Sequence, residues 1–68
     1  MKEKNFESVS VGKHYLRRDG KEAVVYHLSS VYNTYECVIL GTTEFFTVNE
    51  DGQYLKSCID CNDLVKEL

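Results

Sequence analysis

The chain has 68 residues, 43% of them hydrophobic, and a formal net charge of −3 at pH 7. This length gives one domain with a small core, and the hydrophobic content excludes a disordered chain. The longest apolar run, Cys37 to Leu40, is far too short to cross a bilayer, and the N-terminus does not read as a signal peptide. We therefore expect a cytoplasmic, membrane-free protein with one domain over residues 1–68, in which residues 1–8 are the candidate for disorder.

Three turn signals divide the chain into strands. They are Asp19-Gly20 between residues 14–18 and 22–28, Gly41-Thr42-Thr43 between residues 35–40 and 44–49, and Asp51-Gly52 between residues 44–49 and 53–57. Asp-Gly between strand-forming segments indicates a hairpin with a type I′ turn, because both residues tolerate a positive φ. The flanking segments are rich in β-branched and aromatic residues, so the spacing predicts a meander of about five short antiparallel strands.

The two ends of the chain read differently from this meander. Val9 and Val11 alternate as they would in a short additional strand. At the other end, Asp60 or Asn62 can cap a short helix over residues 63–68. The sequence thus predicts a mainly β fold, a small closed or half-closed antiparallel barrel of about five strands with a short C-terminal helix.

The opening of the chain resembles a known kind of hairpin. Residues 11–25 combine Gly12-Lys13, Tyr15, Arg18-Asp19-Gly20 and Ala23 with Val25, as in the first hairpin of SH3-like barrels, including the KOW type. Together with Asp51-Gly52-Gln53-Tyr54 and Asp63-Leu64-Val65, this run is similar to a set of small uncharacterised phage and prophage proteins. The resemblance covers residues 11–65 and implies a small barrel from a mobile element or its host, with no particular activity. Phe45-Phe46 stand near where such proteins often have a tryptophan.

No catalytic constellation stands out in the sequence. The cysteines are Cys37 and the pair in Cys58-Ile59-Asp60-Cys61, and with His14 and His27 they allow a zinc site to be drawn. Only one ligand pair is local, however, whereas structural zinc sites commonly combine two such pairs. Neither histidine lies in a nucleophile motif, and the four glycines are isolated rather than grouped in a phosphate loop. We expect no enzyme activity and no cofactor, with a zinc-stabilised or ligand-sequestering module as an alternative.

Charge is distributed unevenly between the two halves of the chain. Residues 1–34 sum to +2 and residues 35–68 to −5. The basic residues around the first hairpin are Lys13, Arg17, Arg18 and Lys21, and neighbouring tyrosines offer stacking faces, which favours a nucleic-acid-binding small barrel. The negative net charge argues against it, because affinity for nucleic acids comes mainly from neutralising phosphates. Nucleic acid is therefore the alternative partner.

The tyrosines favour another protein as the partner, because tyrosine offers a large contact area with a polar tip and is enriched at interfaces. The leading interpretation is a non-enzymatic binding module that docks on a protein, as an accessory or anti-host-defence factor of a phage or prophage. The candidate binding residues are Tyr15, Arg17, Arg18, Tyr26, Tyr32 and Tyr35. Self-association into a homo-oligomer stays open as a further use of the same surface.

Overall fold

The computed structural model describes residues 5–55 and 58–68. The chain forms five strands: β1 (His14–Arg17), β2 (Glu22–Ser29), β3 (Thr34–Ile39), β4 (Phe45–Val48) and β5 (Leu64–Glu67). They make one antiparallel sheet in the order β4-β3-β2-β1-β5. The predicted mainly β fold with five antiparallel strands is confirmed. Within the described residues the sheet is open, with β4 and β5 at its two edges, and no helix is present.

One face of the sheet carries the core. In β2, Ala23 lies opposite Ile39 and Val25 opposite Cys37, and all four side chains are buried. The core as a whole consists of Phe6, Val9, Tyr15, Ala23, Val25, Cys37, Ile39, Phe46, Val48 and Leu64. The register shifts in β2 between Val25 and His27, and from that point the β2 side chains 26–28 are exposed. The core-facing side chains of β2 are therefore buried up to Val25, and the three side chains that follow it at the irregularity are exposed to solvent.

The first hairpin closes through a three-residue loop. Gly20 N donates to Arg17 O and Arg17 N donates to Lys21 O, both at 2.8 Å. Gly20 has a φ of 91°, whereas Asp19 keeps a negative φ. This is a type I turn followed by a glycine in the left-handed region, so the predicted type I′ turn is wrong. Because the loop has three residues and not the two of a type I′ turn, only Gly20 adopts the left-handed conformation.

The second Asp-Gly forms the same kind of loop in a crowded place. Gly52 N donates to Asn49 O, and Asn49 N donates to Gln53 O, both at 2.9 Å. Gly52 is buried with a φ of 83°, and a Cβ on it would lie 3.1 Å from Leu64 O and 3.2 Å from Cζ of Phe6. Glycine is thus required here both by the backbone conformation and by the space available.

The last strand differs from the sequence-based prediction. Residues 64–67 form β5 and pair with β1, with Tyr15 opposite Glu67 and Leu16 opposite Lys66. The predicted C-terminal helix over residues 63–68 is therefore wrong, because one isolated helical turn is marginal whereas the open edge of β1 satisfies the backbone groups of this segment. The predicted strand over residues 53–57 is also wrong in its described part, since residues 53–55 are irregular; residues 56 and 57 lie outside the described residues.

The described part of the N-terminal segment packs on the sheet and forms no strand of its own. Val9 N donates to Glu50 O at 2.9 Å, but residues 5–13 contain no strand, so the additional strand predicted around Val9 and Val11 is wrong. Phe6 is buried, with its ring 5.0 Å from that of Tyr15 in an edge-on arrangement. Of the segment expected to be disordered, residues 1–4 lie outside the described residues.

Candidate functional site

The structure separates the six residues predicted to bind a partner. Two are buried (Tyr15 and Arg17), two are half-buried (Arg18 and Tyr35), and two are exposed (Tyr26 and Tyr32). A buried side chain cannot contact a partner unless its surroundings unfold. Tyr15 and Arg17 therefore do not share an accessible surface with the exposed tyrosines. Tyr26 lies in β2, and Tyr32 lies in the loop between β2 and β3.

The buried Arg17 lies at the centre of a partly exposed ion-pair cluster, which we call the Arg17 corner and which comprises Arg17, Asp19, Glu44 and Phe46. Arg17 Nε donates to Asp19 Oδ1 at 2.9 Å, and Nη2 pairs with the other carboxylate oxygen. Nη1 lies 2.8 Å from Oε2 of Glu44, although no N–H is aligned with that oxygen. The guanidinium carbon lies 5.0 Å from the centre of the Phe46 ring. The cation is therefore held by two carboxylates and one aromatic face.

The electrostatics of the Arg17 corner fix its charges. The hydrogen bond to Asp19 raises the pKa of Arg17, burial opposes this, and Glu44 raises it further. In return, the hydrogen bond from Arg17 lowers the pKa of Asp19 below its usual value, against the effect of burial. Both groups stay charged at neutral pH and neutralise each other. The corner joins the first hairpin to the start of β4 and is a structural element.

Arg18 also serves the fold, at the loop that precedes β5. Its backbone N donates to Asp63 O at 2.7 Å, and its side chain donates to Asp60 O at 3.1 Å and to Asp63 Oδ2 at 3.4 Å. The Asp63 carboxylate is buried and accepts the backbone N–H groups of Tyr54 at 2.8 Å and Asp60 at 2.9 Å. Arg18 therefore helps to fix the loop that carries Cys58 and Cys61.

The remaining basic residues of the first hairpin also have acidic neighbours. Lys13 Nζ lies 3.1 Å from Oε2 of Glu67, and Lys21 Nζ lies 3.9 Å from Oε1 of Glu44. Together with the two arginines, the whole basic set of the hairpin is therefore paired with carboxylates. A phosphate group would have to compete with these carboxylates for each cation.

The three cysteines are separated by burial. Cys37 is fully buried in the core, and this burial raises the pKa of its thiol to about 12. Cys58 and Cys61 are exposed, and all three cysteines are free. Within residues 5–55 and 58–68, no three His, Cys, Asp or Glu side chains are grouped so that they could hold a metal ion. The cysteines of the alternative zinc site are therefore not brought together into one ligand set among the described residues.

The outer face of β2, β3 and β4 carries an aromatic cleft. Its lining residues are Tyr26, Glu36, Phe45, Phe46, Thr47 and Tyr54, and we call this site the outer cleft. It is shallow, with a volume of about 230 Å³. The Tyr26 and Phe45 rings meet edge to face, with 5.9 Å between their centres. Phe45 remains 61% exposed and Tyr26 46% exposed, so two large rings line a cleft that opens to solvent.

Glu36 supplies the charge of the outer cleft. It lies in β3 opposite Thr47 of β4, and its Oε1 accepts a hydrogen bond from the Tyr26 hydroxyl at 3.2 Å. Desolvation, followed by this hydrogen bond and the charge of Glu36, raises the pKa of Tyr26. Among the described residues, no lysine or arginine forms an ion pair with Glu36. A carboxylate accepts several hydrogen bonds, so Glu36 retains acceptor capacity that the described residues do not fill.

Sequence reasoning found one member of this cleft, Tyr26, and missed the others. A usable signal was present in Phe45-Phe46: successive strand residues face opposite sides of a sheet, so one of these two rings must leave the core. Glu36 has no comparable signal, because its position beside Tyr26 follows from the β2–β3 register and the irregularity after Val25.

Comparisons with known proteins add no assignment to this geometry. No family model, curated protein or solved structure matches the chain. In the part of the chain that the structure describes, no helix has the length and apolar character to cross a membrane.

Proposed function

We propose that this protein is a non-enzymatic binding module that docks on another protein through the outer cleft. The observation that carries the proposal is the exposed pair of Tyr26 and Phe45 beside Glu36. Exposed apolar surface that the fold does not cover is what binding surfaces present before they meet a partner. Aromatic residues that become buried at the centre of an interface supply much of its binding energy.

The size of the outer cleft favours a protein ligand over a metabolite. Its volume of about 230 Å³ lies below the few hundred Å³ of usual small-molecule pockets, and the cleft is open rather than enclosed. A shallow recess accepts one side chain of a protein while the surrounding sheet contacts the rest of that surface. Ligand sequestration is therefore less well supported by the size of the cleft than protein docking.

Nucleic acid is the less supported alternative. The four basic residues of the first hairpin are already engaged by carboxylates, and the outer cleft adds a further negative charge at Glu36. Affinity for nucleic acids depends on cations that are free to neutralise phosphates. The pairing seen here lowers that capacity.

The finer fold class is part of this proposal. We interpret the sheet as a half-closed barrel of the SH3-like kind, supported by the Leu64 N to Gly52 O hydrogen bond of 2.8 Å, which links β5 to the loop after β4. An origin in a phage or prophage and an accessory or anti-host-defence role also remain proposals, which rest on the resemblance of residues 11–65. A cytoplasmic location is a proposal that rests on the odd number of cysteines.

The proposal is tested by selection from a random peptide display library with the whole protein as bait. Peptides that are enriched are synthesised and titrated against the wild type, Phe45→Ala and Tyr32→Ala. We expect Phe45→Ala to weaken binding about tenfold or more, because it removes the most exposed ring of the cleft. Tyr32→Ala is the matched control, since Tyr32 is 78% exposed but lies in the loop after β2.

Two results would contradict docking through the outer cleft. One is a selection that yields no specific peptide. The other is a set of peptides whose affinity falls with Tyr32→Ala and is unaffected by Phe45→Ala, which would move the interface to the β2–β3 loop.

A further inference from the structure

The Arg17 corner provides an internal example of how this protein holds a cation. The guanidinium of Arg17 lies over the Phe46 ring and is surrounded by the carboxylates of Asp19 and Glu44. Planar guanidinium groups stack on aromatic faces and present a fork of N–H groups that matches a carboxylate. The cation is therefore attracted both to the ring face and to the carboxylates.

The outer cleft contains the same components except the cation. Phe45 is the residue next to Phe46 in β4 and faces the opposite side of the sheet. The rings of Tyr26 and Tyr54 line the cleft with it, and Glu36 contributes the carboxylate. No described lysine or arginine pairs with Glu36, so the negative charge beside these rings has no counterion among residues 5–55 and 58–68. The outer cleft is therefore an aromatic and acidic site whose cationic partner is not supplied by the described chain.

We infer that the outer cleft binds an arginine side chain of the protein on which the module docks. The inference rests on the proposed docking function and names the chemistry that it recognises. Cations are attracted to the faces of aromatic rings, more strongly where water is partly excluded, and arginine does this more often than lysine. Arginine also makes two parallel hydrogen bonds to a carboxylate, which lysine cannot.

Size and overall charge agree with this occupant. The volume of about 230 Å³ has room for a guanidinium and part of its methylene stem. Residues 35–68, which supply Glu36 and β4, carry a net charge of −5. The carboxylate of Glu36 in the cleft favours a basic occupant over an acidic one.

The inference is tested by amide NMR titration of the full chain with N-acetyl-arginine N-methylamide. The matched compound is its citrulline counterpart, which has the same shape and no charge. We expect saturable shifts at the amides of Tyr26, Glu36 and Phe45 with a dissociation constant in the range of roughly 1 to 10 mM. The citrulline compound should bind at least about fivefold more weakly, since it lacks the charge that both the rings and the carboxylate attract.

A pair of variants separates the role of Glu36 from general acidity. Glu36→Gln keeps the shape of the cleft and should weaken arginine binding about fivefold, because a charge-assisted hydrogen bond becomes a neutral one. Glu50→Gln removes the same charge from an exposed position outside the cleft and should leave the affinity unchanged. Equal binding of both compounds, an unchanged affinity in Glu36→Gln, or shifts centred away from the cleft would each overturn the inference.

The outcome is distinguishable from that of the docking function itself. If library peptides without a basic residue bind the cleft and are lost in Phe45→Ala, docking stands and the arginine inference is overturned. If the arginine compound binds as expected but no peptide uses the cleft, the cation site stands and docking on proteins is contradicted.

Discussion

The Arg17 corner and the outer cleft are built from similar groups around two neighbouring residues of β4, the buried Phe46 and the exposed Phe45. Phe46 also borders the cleft. Both sites combine phenyl rings of β4 with carboxylates, but the corner contains its own buried arginine, whereas the cleft has none among the described residues and is open. A cation held inside completes a structural cluster. The same groups without an internal cation leave surface and charge available to a partner. The difference teaches that aromatic and charged residues in a small domain have to be assigned to a face before they are assigned a role.

The largest loss of stability from a single substitution is expected at Gly52, where the backbone packs closely against Leu64 and Phe6. Gly52→Ala combines a φ of 83° with a Cβ 3.1 Å from Leu64 O, and should lower the free energy of unfolding by roughly 3 kcal/mol or more. Gly20→Ala has a similar φ of 91° but nothing within 4 Å, and should cost about 1 kcal/mol. Urea unfolding of both variants measures the difference. Equal losses would mean that contacts at Gly52 contribute nothing.

The two neighbouring phenylalanines sharpen the comparison between the faces. Phe46→Ala empties a core position and should lower the free energy of unfolding by about 3 kcal/mol. Phe45→Ala removes a ring that is 61% exposed and should cost less than about 1 kcal/mol. The measurement is again urea unfolding. A larger loss for Phe45→Ala would reverse the assignment of inner and outer faces.

Substitution of Arg17 in the Arg17 corner should give the next largest loss of stability. Arg17→Met keeps much of the apolar volume but leaves the two acids without their cation, and we expect a loss of about 2 kcal/mol in the free energy of unfolding. That figure lies below the full cost of breaking a buried pair, because the Asp19 and Glu44 side chains are 25% and 45% exposed. Lys21→Met is the control, because Lys21 is exposed and should change stability by less than about 0.5 kcal/mol. Similar losses for both variants would remove the structural role assigned to the corner.

The smallest expected effect is the pH dependence of the stability that Asp19 contributes. The pKa of Asp19 is lowered in the folded protein, chiefly by Arg17, so its contribution to stability is present above the ordinary value of 3.8 and is lost as the pH falls through the lower folded value. Asp19→Asn should therefore destabilise the protein near pH 6 and have a smaller effect at about pH 2.5. Unfolding curves of the wild type and the variant at both pH values test this. A destabilisation that does not depend on pH would show that Asp19 acts through its shape and not its charge.

The strands predicted from the sequence are found where local pattern and turn chemistry agree. Asp19-Gly20 lies between β1 and β2 and Gly41 lies between β3 and β4, because glycine at a positive φ is a local requirement of these turns. The fifth strand was predicted too early in the chain. Leu64 to Leu68 fits both an i, i+4 helical spacing and a strand, and the free edge of β1, distant in sequence, decides between them.

The candidate site was less predictable than the fold for a related reason. Tyr15 and Arg17 have the same parity in β1, so both face the core, and a charged residue there gave no local sign of its partners Glu44 and Phe46. The position of Tyr26 depends on the irregularity in β2. Long-range pairing and one local irregularity, neither visible in composition or spacing, therefore determine which tyrosines and arginines reach the surface.

The most direct test of the account is an amide NMR perturbation map of the full chain with a library-selected peptide. We expect the amide chemical-shift changes to be concentrated on the outer cleft, at Tyr26, Glu36, Phe45, Thr47 and Tyr54. The amides of Arg17 and Asp19 should stay unchanged. Shifts centred on the loop at Val31 and Tyr32, or on the first hairpin, would contradict the assignment of the outer cleft as the docking surface.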